Sequence, residues 1–368
     1  MKNTKKWLVA LLVLVALISS LLYVFRDDII SFIFKPTISN LNSEVVSKKP
    51  SVFASNLVTP WSITFLPSGD MLVTEREGRL QRIGQNGTKF NVEGVQETSE
   101  GGLLGVALAP DFTDNNHIYV YYTTSEGNSL TNQVDRYTLD GDLLENRVKI
   151  IDNIPAANNH NGGAIAFGPD DKLYVTTGDA AQPELAQDKN SLAGKILRIN
   201  PDGSSPKDNP FGNSVWSYGH RNPQGIAWTE EGQLWSVEHG PSGSPSGQDE
   251  LNIIVRGANY GWPEIMGDQK RNGMKTPVVE SGADETWAPS GMAYLDDVLY
   301  FAGLRGQSLY KADISDPEDV SVTRLFSEDY GRLRAVTAHE GYIYFSTSNR
   351  DGRGSPETED DRIIRFQP

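Results

Sequence analysis

The chain has no cysteine in 368 residues, which removes disulfides, thiolate metal sites and cysteine nucleophiles and leaves the compartment unread from thiol usage. Positive charge is also scarce: 33 Lys and Arg stand against 48 Asp and Glu, for a formal net charge of −15. A broad basic surface for phosphates is thereby excluded, and nucleic acid with it. Five histidines are present, His117, His160, His220, His239 and His339, without the HExxH or similar spacing of a catalytic zinc site. No glycine-rich phosphate loop opens a helix and no GxSxG elbow occurs, so neither a nucleotide site nor a hydrolase serine is indicated. Beyond the N-terminus no helical period of any length is found.

What the chain has in quantity is punctuation: 35 Gly and 20 Pro are spread along it, and many turns mean many short strands. The exception is the beginning. Lys2, Lys5 and Lys6 precede an uncharged run from Trp7 to Phe25, about 19 residues, enough for a bilayer-spanning helix and longer than an ordinary signal sequence. Lysines before the run and Asp27 and Asp28 after it put the N-terminus in the cytoplasm and the rest on the exported side, periplasmic or extracellular. Residues 1–25 are therefore expected to be an uncleaved membrane anchor, with a removed signal peptide as the second reading. Residues 26–44, mixed and polar with Pro36, read as a tether, and 45–368 as the folded domain.

Within that domain one unit recurs: a short apolar strand, a turn with Pro, Asp or Gly, a second strand with an aromatic or branched centre, then a loop and a third strand. It begins as SITFLPSGDMLVTE at Ser62 and LLGVALAPDF at Leu103, then as GGAIAFGPDDKLYVTTGD at Gly162 and QGIAWTEEGQLWSVEHGP at Gln224. The last two copies are SGMAYLDDVLYFAG at Ser290 and RAVTAHEGYIYFST at Arg334. None of these strands can bury a face alone, and packing six copies around an axis solves that. The expected fold is all-β, a six-bladed β-propeller, with a two-sheet sandwich as the alternative. A ring must be closed, and the strand-like Ser51–Leu57 is expected to pair with Arg362–Gln367.

In a propeller the loops entering the innermost strands gather at one mouth. Here they carry Glu100, His160, His220 with Arg221 and Asn222, Trp287, and Arg332 with Arg334; Gly240-Pro241 and Arg305 can reach the same mouth. His160 lies between asparagines and a glycine pair ahead of a strand, which suits a general base, although a turn histidine bonded to its own loop is the plainer reading. Arg221, Arg305, Arg332 and Arg334 together, in an acidic chain, point to an anionic ligand. The segment from Gly240 to Ile254, with Asp249 and Glu250, suits a hard cation such as calcium or, equally, a solvated acidic turn.

Taken in order, HNGG, GD, GKILRINPDG, GHRNPQG, EHGP, DELN, GANYGWP and TSNRDGRG resemble the soluble glucose/sorbosone dehydrogenase family, whose members use pyrroloquinoline quinone (PQQ), and within it the aldose sugar dehydrogenase branch. The resemblance covers roughly Ser51 to Phe366 and implies a six-bladed propeller. It also implies oxidation of the C1 hydroxyl of aldoses to lactones, with electrons passed on to an external acceptor. Residue by residue, His160 falls on the family's general base and Arg221 and Asn222 on quinone contacts. Gly240 and Pro241 fall on the carbonyl pair that holds calcium, and Arg332 and Arg334 on the pair clamping the PQQ carboxylates. Asp249, Glu250 and Tyr260 fall near a second calcium site. Three positions depart from the glucose dehydrogenase branch: Arg305 stands for a lysine of the cofactor site, Glu100 for a glutamine beside the base, and Asn159 for an aspartate. A carboxylate at Glu100 is expected to favour a protonated His160. Because the family also contains animal propellers that bind without catalysing, a non-catalytic binding propeller is the alternative, and a calcium-dependent lactonase a third. Whether the protein is a monomer or a dimer is not legible.

Overall fold

A computed structural model describes residue 15 and residues 41–84, 87–127, 129–241 and 247–368. The expected anchor, and all of the tether before residue 41, lie outside the described residues, residue 15 apart. Among the described residues no helix is long and apolar enough to cross a membrane. Helix is limited there to the single turns Phe112–Asn115 and Pro183–Ala186.

The rest is six four-stranded antiparallel sheets, each in simple up-and-down order. Their innermost strands are Pro60–Phe65, Leu103–Leu108, Ile165–Phe167, Pro223–Trp228, Pro289–Leu295 and Leu333–His339, which begin blades 1 to 6. The six-bladed propeller expected from the repeats is the fold observed. Closure also follows the expected pairing: Ser51–Ala54 becomes the outermost strand of blade 6, with Ser51 opposite Arg365 and Val52 opposite Ile364. The two ends of the domain are thus held in one sheet, which closes the ring.

A three-residue pattern explains why these strands can meet at an axis. At equivalent positions the chain reads Ser62-Ile63-Thr64, Gly105-Val106-Ala107, Ala164-Ile165-Ala166, Gly225-Ile226-Ala227, Gly291-Met292-Ala293 and Ala335-Val336-Thr337. Each is small, apolar, small. A β-carbon on Gly105 would overlap the carbonyl of Gly163, and one on Gly225 the carbonyl of Ser290, so the first small residue marks where one blade's backbone touches the next. The same positions line a central channel of about 340 Å³. Between blades the spaces are filled by fully buried side chains, as where Tyr119 and Tyr121 of blade 2 meet Leu173, Val175 and Leu197 of blade 3. Each such burial contributes about 1.5–3 kcal/mol relative to exposure.

The loops that precede the innermost strands and follow the second strands lie at one end of this ring. One of them is held by a buried cation from the fold itself. Lys195, with no exposed surface, donates to the carbonyls of Leu185, Ala186 and Ala193 at 2.8, 3.0 and 2.5 Å. Burial lowers its pKa to about 7.

At the closure, Leu57 is 1% exposed and packs with Ile63, Met71, Val73, Ala335, Tyr344 and Ile363. Leu57→Ala is expected to cost about 2–5 kcal/mol in denaturant unfolding. The loss should be accompanied by faster amide exchange in Ile363–Phe366; exchange speeding evenly through all six blades would show that the closing sheet is not a local weak point.

Candidate active site

His160 sits at the mouth in a left-handed backbone conformation, φ +60°. The loop is pressed onto its own blade: a β-carbon at Gly178 would overlap the His160 carbonyl, which accounts for the glycine of the Gly-Asp pair ending that blade's second strand. The aspartate of the pair does more. Asp179, with no exposed surface, places Oδ1 2.7 Å from His160 Nδ1. An ionised carboxylate only accepts, so Nδ1 carries a proton, and in the neutral ring this leaves the lone pair on Nε2, the form a base requires. The carboxylate is itself fixed by Trp262 Nε1–H at 2.8 Å and by the Ala181 amide at 2.8 Å. Asp179 and Trp262 were not selected as site residues from the sequence, although both lie in quoted motifs, Asp179 in GD and Trp262 in GANYGWP. An acid closing the strand next to the histidine loop marked Asp179; nothing in GANYGWP, two blades' worth of chain further on, tied Trp262 to the histidine.

Arg221 and Asn222 flank this pair. The Arg221 amide donates to Glu238 Oε2 at 2.8 Å and its guanidinium lies 5.4 Å over the Trp262 ring. Burial lowers its pKa, opposed by Asp179, Asp249, Glu100 and Glu238. Asn222 Oδ1 accepts the Gly162 amide at 3.0 Å, tying the Arg221 loop to the His160 loop. His220, next in line, turns away: Nε2 meets Ser217 Oγ and Nδ1 meets Glu238 Oε1, each at 2.8 Å, inside the protein.

On the far side of the mouth Arg332 and Arg334 are buried around a single acid, Asp351, that sequence reading did not select. Arg332 Nη2 donates to Asp351 Oδ2 at 2.9 Å, and Arg334 Nη2 approaches the same oxygen at 3.5 Å. Burial works to raise the pKa of Asp351, but the two arginines prevail and hold it at about 2. Burial lowers that of Arg334 to about 10 against the pull of Asp351. Two guanidinium groups share one carboxylate, which leaves positive charge in excess at this wall. Arg332 Nη1 also donates to the Leu304 carbonyl at 3.2 Å, which brings the half-buried Arg305 alongside. Sequence could not reveal the Asp351 pairing, because the acid lies 17 and 19 residues past the arginines in an irregular loop.

Glu100 enters differently from expectation. Its Oε2 accepts the backbone amide of His160 at 3.1 Å and its Oε1 takes Arg353 Nη1 at 2.9 Å. Its contacts are with the peptide of the histidine and with an arginine, not with the imidazole.

The residues proposed for cations divide. Gly240 donates its amide to Asp249 Oδ1 at 2.9 Å, and Asp249 Oδ2 accepts Thr286 Oγ1, the Trp287 amide and the Ala288 amide at 2.7, 2.6 and 2.9 Å. Asp249 thus secures the loop of Gly240 to the start of blade 5 with both oxygens. Tyr260 gives its hydroxyl to the Ile253 carbonyl at 2.6 Å and stacks on His220. Glu250, beside Glu238, is pushed well above the usual carboxylate range by burial and then by that neighbour. Among the described residues no group of three or more His, Asp or Glu side chains stands ready for a metal. Glu238, Glu250, Gly240, Pro241 and Tyr260 do line one small cavity, with Arg221 and Trp262. Its oxygen donors and crowded carboxylates fit a hard cation better than an empty space. His239, in the same lining, has Nε2 buried with no hydrogen-bond partner among the described residues, and burial lowers its pKa to about 4.

Comparison with known proteins agrees with this geometry. The glucose/sorbosone dehydrogenase profile matches residues 57–363. The chain is 31% identical over 343 residues to the aldose sugar dehydrogenase of Escherichia coli, covering 82% of this chain and 90% of that one. It is 37% identical over 269 residues to quinoprotein glucose dehydrogenase B of Acinetobacter calcoaceticus, a match that takes in 63% of this chain and spans only 55% of that relative's length. Among solved structures, the PQQ-bound aldose sugar dehydrogenase of Streptomyces coelicolor superimposes with a TM-score of 0.80 at 39% identity, over 86% of this chain and 97% of that one. With the ring and most of the length accounted for in this way, the chain belongs to the glucose/sorbosone dehydrogenase family.

Proposed function

We propose that the protein is a PQQ- and calcium-dependent aldose sugar dehydrogenase that oxidises the C1 hydroxyl of an aldose to the lactone. The observation that carries this reading is the meeting, at one mouth, of a histidine held in its basic tautomer by a buried carboxylate and a wall of arginines with charge in excess. Relatives named for PQQ and for aldose oxidation support it.

Arg332, Arg334 and Arg305 would hold the cofactor's carboxylates, Arg221 and Asn222 its quinone edge, and the Gly240 and Pro241 carbonyls the calcium. Bound there, the quinone supplies a two-electron hydride acceptor, and the cation polarises it. The protein's part is proton handling. His160 Nε2 takes the hydroxyl proton as C1 gives up hydride, so the sugar loses one proton and one hydride, two hydrogens and two electrons in all, and becomes the lactone. Asp179 stabilises the imidazolium that forms, and Trp262 and the Ala181 amide keep Asp179 from turning away. Arg221 offers positive charge where negative charge develops, and its low water exposure strengthens the effect. Of Asp249, Glu250 and Tyr260, which fall near the family's second calcium site, Glu250 would be the ligand. Asp249 supports the site from behind, through Gly240. Electrons leave to an external acceptor, which suits a domain exported behind a 1–25 anchor. A binding propeller that never turns over would have no use for the Asp179–His160 pair.

Reconstitution with PQQ and calcium tests the reading: reduction of a dye across a panel of aldoses is expected, and none at any cofactor level would refute it. His160→Ala should keep PQQ affinity and lose about 10²–10⁴-fold in turnover. A second measurement addresses the clamp. Asp351→Asn leaves two buried guanidinium groups without a counter-ion and is expected to lower unfolding free energy by about 3–5 kcal/mol in cofactor-free protein. Added PQQ should restore part of that loss; an equal loss with and without PQQ would show that Arg332 and Arg334 do not meet the cofactor.

A further inference from the structure

Glu100 differs from the glutamine of the glucose dehydrogenase branch, and the structure gives this carboxylate a partner that the sequence did not. Arg353 extends from the loop after blade 6's second strand to the loop before blade 2, across a chain separation of 253 residues. Its Nη1 donates to Glu100 Oε1 at 2.9 Å, and its Nη2 to Ser99 Oγ at 3.1 Å. The other carboxylate oxygen, Oε2, accepts the His160 amide, and the Glu100 amide donates to the Asn158 carbonyl at 2.8 Å. At its own base, the Arg353 amide donates to Asp351 Oδ1 at 2.9 Å. One carboxylate thus joins the histidine's backbone to an arginine whose loop is anchored at the clamp.

The arrangement is local and partly dry. Side-chain exposure is 20% for Glu100 and 33% for Arg353, so the pair is screened less than a surface pair. We infer that Arg353 is a positioning residue for the oxidation, acting through Glu100 to hold the His160 peptide in its left-handed conformation and so to aim the imidazole. This rests on the reading of the mouth as a sugar-oxidising centre. A backbone at φ +60° is uncommon for a side-chain-bearing residue and persists only where its surroundings enforce it. Here the amide is held by Glu100 of blade 2 and the ring by Asp179 of blade 3.

The charge state of Glu100 follows from the groups around it. Burial works to raise its pKa, but Arg353, by charge and by hydrogen bond, and then His239 and the His160 amide, outweigh it and bring it to about 2. Arg221 and Arg334 also stand within electrostatic reach. Glu100 is therefore ionised throughout the working range, and the pull on the His160 amide is constant. Without Arg353 burial is opposed less, and the pKa moves up; Glu100 then takes a proton as pH falls, and the amide loses a charged acceptor.

The test compares wild type with Arg353→Met and Arg353→Lys. In cofactor-free protein carrying ¹⁵N-histidine, the His160 amide resonance should stay flat from about pH 8 to 5 in wild type and move with pH in Arg353→Met. In reconstituted protein Arg353→Met should lose about tenfold or more in kcat/KM, chiefly in kcat and increasingly towards pH 5, with Arg353→Lys recovering much of it. If Arg353 works through Glu100, adding Arg353→Met to Glu100→Gln costs little beyond Glu100→Gln alone. A His160 amide that superimposes on wild type in Arg353→Met at every pH would overturn the inference, as would fully additive losses in the double variant. Should wild type oxidise no aldose with PQQ, the proposed function falls, and the amide titration still decides whether Arg353 reaches His160.

Discussion

Around the axis of the ring, neighbouring strands come so near that only a hydrogen, a methyl or a hydroxymethyl group fits between them, and everything at the mouth inherits its spacing from this closeness. Gly105 against Gly163 and Gly225 against Ser290 are contacts of backbone with backbone. Strands so placed fan their loops outward over a small area. Residues about 60 to 170 positions apart in the chain, such as His160, Arg221 and Arg332, are then carried to the same end of the ring. A larger residue at the axis would spread the blades and with them the distances on which proton transfer depends.

The mouth concentrates charge in a low-exposure setting, and its stability comes from how the charges are grouped. Asp351 serves Arg332 and Arg334, Asp179 serves His160, Glu100 serves Arg353, and Glu238 serves the Arg221 amide. Every acid is divided between a charged partner and a backbone amide, or between two partners. Buried ions are tolerable when their remaining lone pairs are taken in this way. Glu250 is the exception: it accepts from Asn252 Nδ2 at 3.0 Å but stands beside the carboxylate of Glu238, and burial and that neighbour push it well above the usual carboxylate range.

The sequence disclosed the repeats and the closing strand, and it singled out His160 and the arginines, because each of these leaves a local mark: a period, a turn, an unusual residue in an acidic chain. His160 stood out as one imidazole among asparagines and glycines, and Arg332-Leu333-Arg334 as two like charges at the head of a strand. Their partners left no such mark. Asp351 and Arg353 sit in a loop rich in Asp, Gly and Arg that composition alone reads as solvated turn, and whether such a carboxylate is buried is decided by the blade facing it. Asp249 shows the converse. Its neighbours suggested a cation ligand, yet four protein donors occupy its oxygens, a saturation that only the approach of Thr286, Trp287 and Ala288 reveals.

The same logic bears on why His160 is held from two sides. An imidazole that accepts a proton becomes a cation and is drawn towards the nearest carboxylate. If Asp179 alone fixed the ring, a loop in a sparsely populated backbone conformation could relax and shift Nε2. A second tether on the peptide itself removes that freedom without touching the ring or its basicity. Glu100 supplies it from blade 2, on a carboxylate already committed to Arg353, so the tether does not compete with Asp179 for the proton. Aim and acidity are thereby set by different residues on different blades, and a change in one need not disturb the other.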